Sequence, residues 1–436
     1  MKLRITEALW DVLRDRLFVR DDVETAGLLL VETTQTPAGC IGIVREAFAL
    51  PDSAYLVRRR DQLSVDPVAL NRLTRPARDR GWGVFTIHTH PGASEAWFSS
   101  ADDAGDARLM PSLKCQMPSA RHGSLVVVEG GDVVARTFGA DGSAEDVVFQ
   151  IVGKTLRRPR DESSPSEPWF ARQELALGTL GQSRLRQMRV GIVGLGGIGS
   201  VVSMQLAHLG VGELVLIDGD VVEASNISRI VGAVPVDAGR TFKIEVAARY
   251  AEALGFTRVE RHAAYLCADQ EALLASCDVI ISCVDRQLPR ALMNRVAYRF
   301  CLPLIDLGNV FRVDRKGLVT GDAGRVVIVG PGRPCLSCWG HIDSHALRIE
   351  ALSAEERQNQ EREGYIEGAI AAQPSVVAFN TFVAGAGVME FMRLVTAFAG
   401  ADSPPLRMAF SFASGTVKRN TLVAPNGCAI CGEQSH

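Results

Sequence analysis

No sign of charge dominates this chain of 436 residues: 47 Lys and Arg stand against 50 Asp and Glu, for a formal net charge of -3. Such a balance, with a pI near 6.3, leaves no electrostatic footprint for a polyanion and argues against nucleic acid as the main partner. The short basic runs at Arg58 to Arg60 and Arg157 to Arg160 lack interleaved aromatics and read as solvated surface. Long apolar runs are also missing. The longest stretch, about Pro374 to Phe398, is interrupted by Asn380, Glu390 and Arg393, which predicts a buried helix and no membrane span. The first residues, MKLRITEALWDVLRDRL, have no apolar signal core and carry acids and arginines at helical spacing, so a cytoplasmic location is expected. The ten cysteines are then thiols or metal ligands and no disulfide framework. No internal repeat is present.

A length prior of about 150 residues per domain suggests two or three domains. The one composition break is RRPRDESSPSEPW, rich in Pro, Ser and charge, which reads as a linker. Before it, strand-like runs (AGLLLVE, WGVFTIHTH, SLVVVEG) alternate with amphipathic stretches such as Asp66 to Arg80. After it, VGIVGLGGIG, ELVLIDGD, DVIISCVD and RVVIVGPG are continuous Val/Ile-rich runs separated by helical segments, the pattern of a parallel sheet covered on both faces. The division expected is an α/β domain over 1–153, a linker over 154–168 and a second α/β domain over 169–436.

In the second domain GLGGIGS comes directly after the apolar run RVGIV and opens a helical pattern, placing Gly194, Gly196, Gly197 and Gly199 where a strand turns into a helix. Missing side chains there let backbone N–H groups and the positive helix end approach phosphate. Asp218, at the end of the next strand, is placed to bind a ribose hydroxyl. A dehydrogenase would share these features. The residues beyond Asp218 are unlike those of a dehydrogenase: Asn226 and Arg229 lie in DGDVVEASNISR, Lys243 opens the next helix, and Asp285 ends DVIISCVD. This ordered set resembles the ThiF/ubiquitin-activating adenylyltransferase family from about Trp169 onward. The resemblance implies a Rossmann-like fold that binds ATP, with Asn226 orienting the phosphates, Arg229 and Lys243 offsetting their charge, and Asp285 holding Mg²⁺. It also implies that Arg172 reaches into the ATP site of a second copy, hence a homodimer.

Cys335-x-x-Cys338 and Cys428-x-x-Cys431 are two pairs about 90 residues apart, able together to complete a tetrahedral Cys₄ zinc site with no open position. The family resemblance implies a structural zinc there. Many ubiquitin-activating enzymes carry a nucleophilic cysteine after the first pair, but Trp339 to Gln373 contains none, so no thioester is expected on that segment. Cys267, Cys277, Cys283 and Cys301 fall in or near apolar segments and read as inert thiols.

In the first domain the strand GVFTIHTH ends in His88-Thr89-His90-Pro91. Residues at i and i+2 of a strand share a face, so both imidazoles can bind one metal, with Asp102 as a third ligand. With Glu24 upstream and Ser99 three residues before Asp102, this resembles the JAB/MPN (JAMM) metalloprotease family. The resemblance implies a catalytic Zn²⁺ with an open position, Glu24 as general base and Ser99 as donor to the oxyanion. The duplicated SSADD also allows a Ser100/Asp103 register. His122, His208, His262, His341 and His345 match no motif and read as surface or packing residues.

The two resemblances share a substrate logic: a hydrolase that cuts after the C-terminal glycines of a ubiquitin-like protein, and an adenylating domain that activates the exposed carboxylate. The implied partner is a small ubiquitin-like or sulfur-carrier protein, with an E2-like conjugating enzyme or a sulfurtransferase downstream. Adenylation of a small molecule or tRNA base, a non-catalytic scaffold and an oxidoreductase stay open.

Overall fold

The computed structural model describes all residues except 140, 162–164, 166, 315–318, 364–373, 401–405, 426 and 433–436. Part of the expected linker and the end of the cysteine-free segment therefore lie outside the described residues. The chain divides into two compact units, Met1–Glu162 and Ser163–Ser435.

The first unit is built on a nine-stranded mixed sheet. Its strands are β1 (Lys2–Thr6), β2 (Ala26–Thr36), β3 (Gly39–Ala49), β4 (Gly83–Thr89), β5 (Gly123–Val127), β6 (Val133–Phe138), β7 (Ala144–Asp146), β8 (Val148–Val152) and β9 (Leu156–Arg157). They lie in the order β9-β8-β1-β3-β2-β4-β5-β6-β7. The period of two along β2 sorts its side chains onto both faces. Leu29 and Val31 join Trp10, Leu13 and Leu17 of helix α1 (Glu7–Leu17) on one side. Leu28 and Leu30 face Met110 and Leu113 of helix α2 (Ser100–Gln116) on the other.

Two expectations change here. The first residues are not one helix: Lys2–Thr6 is a strand, and Thr6 caps α1 by accepting the N–H of Leu9. Leu3 and Ile5 are fully buried because β1 pairs in parallel with both β8 and β3, partners far along the chain that local spacing cannot reveal. The linker is also shorter than its composition suggests, since Leu156 and Arg157 pair with Val152 and Ile151 as the edge strand of the first unit.

The second unit carries an eight-stranded sheet: β10 (Arg189–Val193), β11 (Glu213–Ile217), β12 (Arg258–His262), β13 (Val279–Ser282), β14 (Leu304–Val313), β15 (Val319–Val329), β16 (Arg407–Ser411) and β17 (Thr416–Asn420). The order is β12-β11-β10-β13-β14-β15-β16-β17. The pairs from β12 through to β14 are parallel and the rest antiparallel. Every residue of β10 and β13 is buried, as a parallel sheet covered on both faces requires. The covering helices include α3 (Ala171–Arg186), α4 (Gly197–His208), α5 (Lys243–Leu254), α6 (Gln287–Arg299) and α7 (Val377–Thr396). Strand order reverses between β10 and β13, which opens the crevice where doubly wound folds bind ligands. The apolar stretch read as a buried helix is α7, with Asn380 and Glu390 both buried, and among the described residues no helix is long and apolar enough to cross a membrane.

Phe85 on β4 is fully buried in the α1-side core. Phe85→Ala is expected to lower the unfolding free energy of the first unit by about 3–5 kcal/mol, read as an earlier midpoint in urea denaturation.

Candidate active site and metal centres

The crevice is formed by three strand ends. Gly194 donates its N–H to Ile217 at the end of β11, and Cys283 donates its own to Val193 at the end of β10. Gly194 has φ +88, and an added Cβ would lie 2.9 Å from the Cys283 carbonyl. At Gly199 an added Cβ would come 1.8 Å from the Gly194 carbonyl oxygen. Only glycine allows the loop to turn this tightly into α4, whose first-turn N–H groups face the crevice.

Asp218 is buried and accepts the N–H of Leu195 at 2.6 Å on one oxygen and that of Asp220 at 2.8 Å on the other. Burial pushes its carboxyl up, against these two bonds. The residue expected to hold a ribose hydroxyl is thus first a brace for the glycine loop. Asn226 is buried and accepts the N–H of Glu223, shaping its own turn. Arg229 donates to the Ser225 carbonyl, and its Cδ stands 3.5 Å from where a Cβ on Gly197 would be, so it reaches the start of α4. Lys243 opens α5 and places its ammonium 2.6 Å from Asp220 Oδ2. Asp285 is exposed, two residues past Cys283. Arg172 is exposed near the start of α3, a helix broken at Gly178 (φ 71).

Three further residues take part, and of these only Asp220, the second acid of Asp218-x-Asp220, belongs to the family pattern. Asp220 is held by Lys243 and by the Tyr265 hydroxyl, and despite partial burial these bonds keep its carboxyl low. Asn380 of α7 packs so closely on the loop that a Cβ on Gly197 would lie 2.1 Å from its Nδ2. Arg290 joins the fully buried Asp306 to the Val284 carbonyl beside Asp285.

Cys335, Cys338, Cys428 and Cys431 meet in one cluster, with four of the six Sγ–Sγ separations at 3.5 to 3.8 Å and all within 4.8 Å. Four thiolates about 2.3 Å from a central Zn²⁺ have edges of about 3.8 Å, so this donor set fits the metal. The N–H groups of Cys431 and Ile430 pull the Cys428 thiol down to about 6, while burial pushes the thiols of Cys338 and Cys431 up. Of the remaining cysteines, Cys277 and Cys301 are buried, and burial raises the Cys283 thiol. Cys267 departs from its expected place: it is exposed, in the loop beyond β12. His341 is partly buried, in keeping with the packing alternative. Burial, together with Arg325 nearby, pulls its imidazole down to about 4.

In the first unit His88 Nε2 and His90 Nε2 lie 3.2 Å apart, and Asp102 stands 2.9 Å from the first and 3.6 Å from the second. These separations fit the edges of a tetrahedral site with bonds of about 2.0–2.1 Å. Asp103, the alternative third ligand, instead pairs with Arg136 at 2.6 Å. Asp102 is the third residue of α2 and closes a capping box with Ser99: each accepts the other's backbone N–H. The Ser99 hydroxyl donates to Asp102 Oδ2 at 2.8 Å, so the group expected to meet an oxyanion is engaged with a metal-ligand candidate. Partial burial would raise the Asp102 carboxyl, but hydrogen bonds from His88 and His90 hold it well below the usual carboxylate range. Glu24 immediately precedes the Thr25-Ala26 entry to β2, and Ala26 pairs with His88. Its N–H donates to the Arg59 carbonyl, and its own carbonyl accepts Arg58 Nε. Burial pushes its carboxyl up, with His88 and His90 acting in the opposite sense.

The second unit is expected to hold one zinc per chain and Cys338→Ser to lose it, read by elemental analysis and as an earlier thermal midpoint. Gly199→Ala should abolish nucleotide binding in calorimetric titration, because the clash is with backbone and no side chain can yield.

A model described as the ThiF family matches residues 170–428. The adenylyltransferase and sulfurtransferase uba4 of Aspergillus clavatus is 30% identical over 342 residues, which cover 74% of this chain and 64% of the relative. The SAMP-activating enzyme E1 of Haloferax volcanii is 34% identical over 170 residues, 37% of this chain and 57% of the relative. The chain thus spans less than two thirds of the length of these relatives. The solved structure of E. coli MccB with MccA-N7isoASN aligns with a TM-score of 0.50 at 17% identity, covering 93% of this chain and 99% of that one, a likeness of fold alone. The matched region is over half of the chain and contains the glycine loop, Arg229, Lys243, Asp285 and three of the four clustered cysteines, and on that ground the chain belongs to the ThiF family.

Proposed function

We propose that the second unit adenylates the C-terminal glycine carboxylate of a small ubiquitin-like or sulfur-carrier protein, and that the first unit is a JAB/MPN-type zinc hydrolase acting at the same tail. The observation that carries the first half is the convergence of Arg229, Lys243 and the start of α4 on one crevice. In such a reaction a carboxylate oxygen attacks the α-phosphorus and pyrophosphate leaves, so negative charge grows on the phosphate oxygens. Arg229, Lys243 and the N–H groups of α4 offset that charge without reorganising. Asp285, exposed at the end of β13, would hold Mg²⁺, which supplies further positive charge to the triphosphate. Arg172 would complete the site of a second copy, which makes a homodimer the working form. The names of the relatives, one an adenylyltransferase and sulfurtransferase and one a SAMP-activating enzyme, support a carrier-protein substrate.

No cysteine lies between Trp339 and Gln373. With no nucleophile on that segment, we take the acceptor of the acyl-adenylate to be outside the chain, an E2-like cysteine or a sulfur donor. In the first unit, His88, His90 and Asp102 would hold Zn²⁺, which supplies an acidified water. Glu24, half-buried with its carboxyl raised, is placed to accept a proton, and Ser99 fixes the Asp102 ligand. Joining both units in one chain keeps a freshly cut tail at high effective concentration for the second site.

ATP–pyrophosphate exchange with ubiquitin-like proteins ending in an exposed glycine is the test. Exchange should require the free tail and fall by at least about 100-fold in Asp285→Ala and in Arg172→Ala. Exchange that proceeds without any tail protein, on a small acid alone, would refute the carrier-protein substrate. For the first unit, Glu24→Gln should slow cleavage of a tail-extended precursor by at least about 100-fold while its zinc content stays unchanged.

A further inference from the structure

Tyr265 is a large aromatic residue that the core does not use: 61% of it is exposed, yet it is fixed at both ends. Its hydroxyl donates to Asp220 Oδ1 at 2.6 Å. Its ring lies against the chain at Gly219, where an added Cβ would come within 3.1 Å of Cγ and Cδ1. The Cγ–Cδ1 side of the ring is therefore backed by backbone, and the exposed area lies on the rest of the residue. A lone exposed tyrosine needs no explanation. A tyrosine held in place and exposed at this position does.

The position is set by strand order. The glycine loop ends β10, the Asp218/Asp220 acids come after β11, and Tyr265 stands three residues past the end of β12. These strands are adjacent and parallel, and the Asp218 N–H donates to the His262 carbonyl, locking the last two ends together. A nucleotide with its phosphates on the glycine loop and its ribose at the acids has its base directed toward the end of β12. That is where the exposed area of Tyr265 lies.

We infer that Tyr265 is the stacking platform for the nucleotide base, and that its hydroxyl positions Asp220 and, through it, the Lys243 ammonium. The inference rests on the nucleotide reading of the crevice. The second role comes from Asp220 itself. One oxygen receives Tyr265 and the other Lys243, while the Asp220 carbonyl accepts the Lys243 backbone N–H. With the tyrosine hydroxyl in place, the carboxylate meets Lys243 through one oxygen only. Without it, both oxygens can close on the ammonium and hold it away from phosphate. The ring and the hydroxyl thus act on different quantities. The π-face governs affinity for the base, and the hydroxyl governs how much of the Lys243 charge reaches the phosphates.

The full-length protein is titrated with the fluorescent 1,N6-ethenoadenosine triphosphate and Mg²⁺, and ATP–pyrophosphate exchange is measured in parallel. Tyr265→Ala and Tyr265→Leu should each weaken nucleotide binding by about 5- to 100-fold, the range found for base–aromatic stacking. The leucine keeps apolar bulk but has no π-face, which separates stacking from simple shape. Tyr265→Phe should bind like wild type, with an unchanged KM for ATP, and exchange about 10-fold more slowly at saturation. Unchanged zinc content shows that each variant is folded. Wild-type affinity in Tyr265→Ala overturns the platform, and a wild-type exchange rate in Tyr265→Phe overturns the positioning role. Failure of the wild-type protein itself to bind nucleotide overturns both together with the reading beneath them, an outcome distinct from the first two.

Discussion

A buried carboxylate anchors the second unit. Asp218 gives one oxygen to the Leu195 N–H in the glycine loop and the other to the Asp220 N–H. Burying an acid is unfavourable unless its lone pairs are filled, so the two bonds hold the charge and the charge holds the two strand ends in register. The effects spread outward. Fixing Leu195 sets the turn at Gly194, which brings the loop against Cys283, and Asp285 lies two residues on. Fixing Asp220 presents its side chain to Lys243 and Tyr265. The crevice is less a pocket lined by side chains than a set of strand ends tied to a common point.

The first unit uses the same economy at its candidate metal centre. The third residue of a helix is where a carboxylate can accept the N-cap backbone N–H, and Asp102 does so while also facing His88 and His90. The capping box therefore separates the two adjacent aspartates in space. Asp103 is turned through the helical step toward Arg136, whose guanidinium also binds Asp106 and stacks on Phe98 at 3.8 Å.

Legibility in the sequence depends on separation along the chain. The glycine loop, the two Cys-x-x-Cys pairs and His88-x-His90 are short spacings whose geometry is dictated by a turn or a strand, and the structure places each group together. The alternation of β10, β11 and β13 with helices was equally readable, because continuous apolar runs mean a sheet buried on both faces. The rest depended on contacts between distant residues. Lys2–Thr6 reads as helical until its partners near residues 41 and 148 are known. Cys267 sits near apolar residues in sequence but in an exposed loop in space. Tyr265 and Asn380 reach the crevice from 45 and 183 positions away from Asp220 and Gly197, with no motif to announce them. Ser99, Asp218 and Asn226 are legible in the sequence as candidates, but their bonds to backbone or to a neighbouring side chain are not.

The cysteine cluster also has a topological meaning. Cys338 and Cys428 are 90 positions apart, so a metal gripped there closes a long loop, as a disulfide does in an oxidising setting. On the chain-entropy account, closing a loop of that length removes about 4–5 kcal/mol of freedom from the unfolded chain. Within the loop lies α7, whose Asn380 packs on Gly197 at the start of the phosphate-facing helix. Loss of the cross-link would thus be felt as added slack at the nucleotide loop.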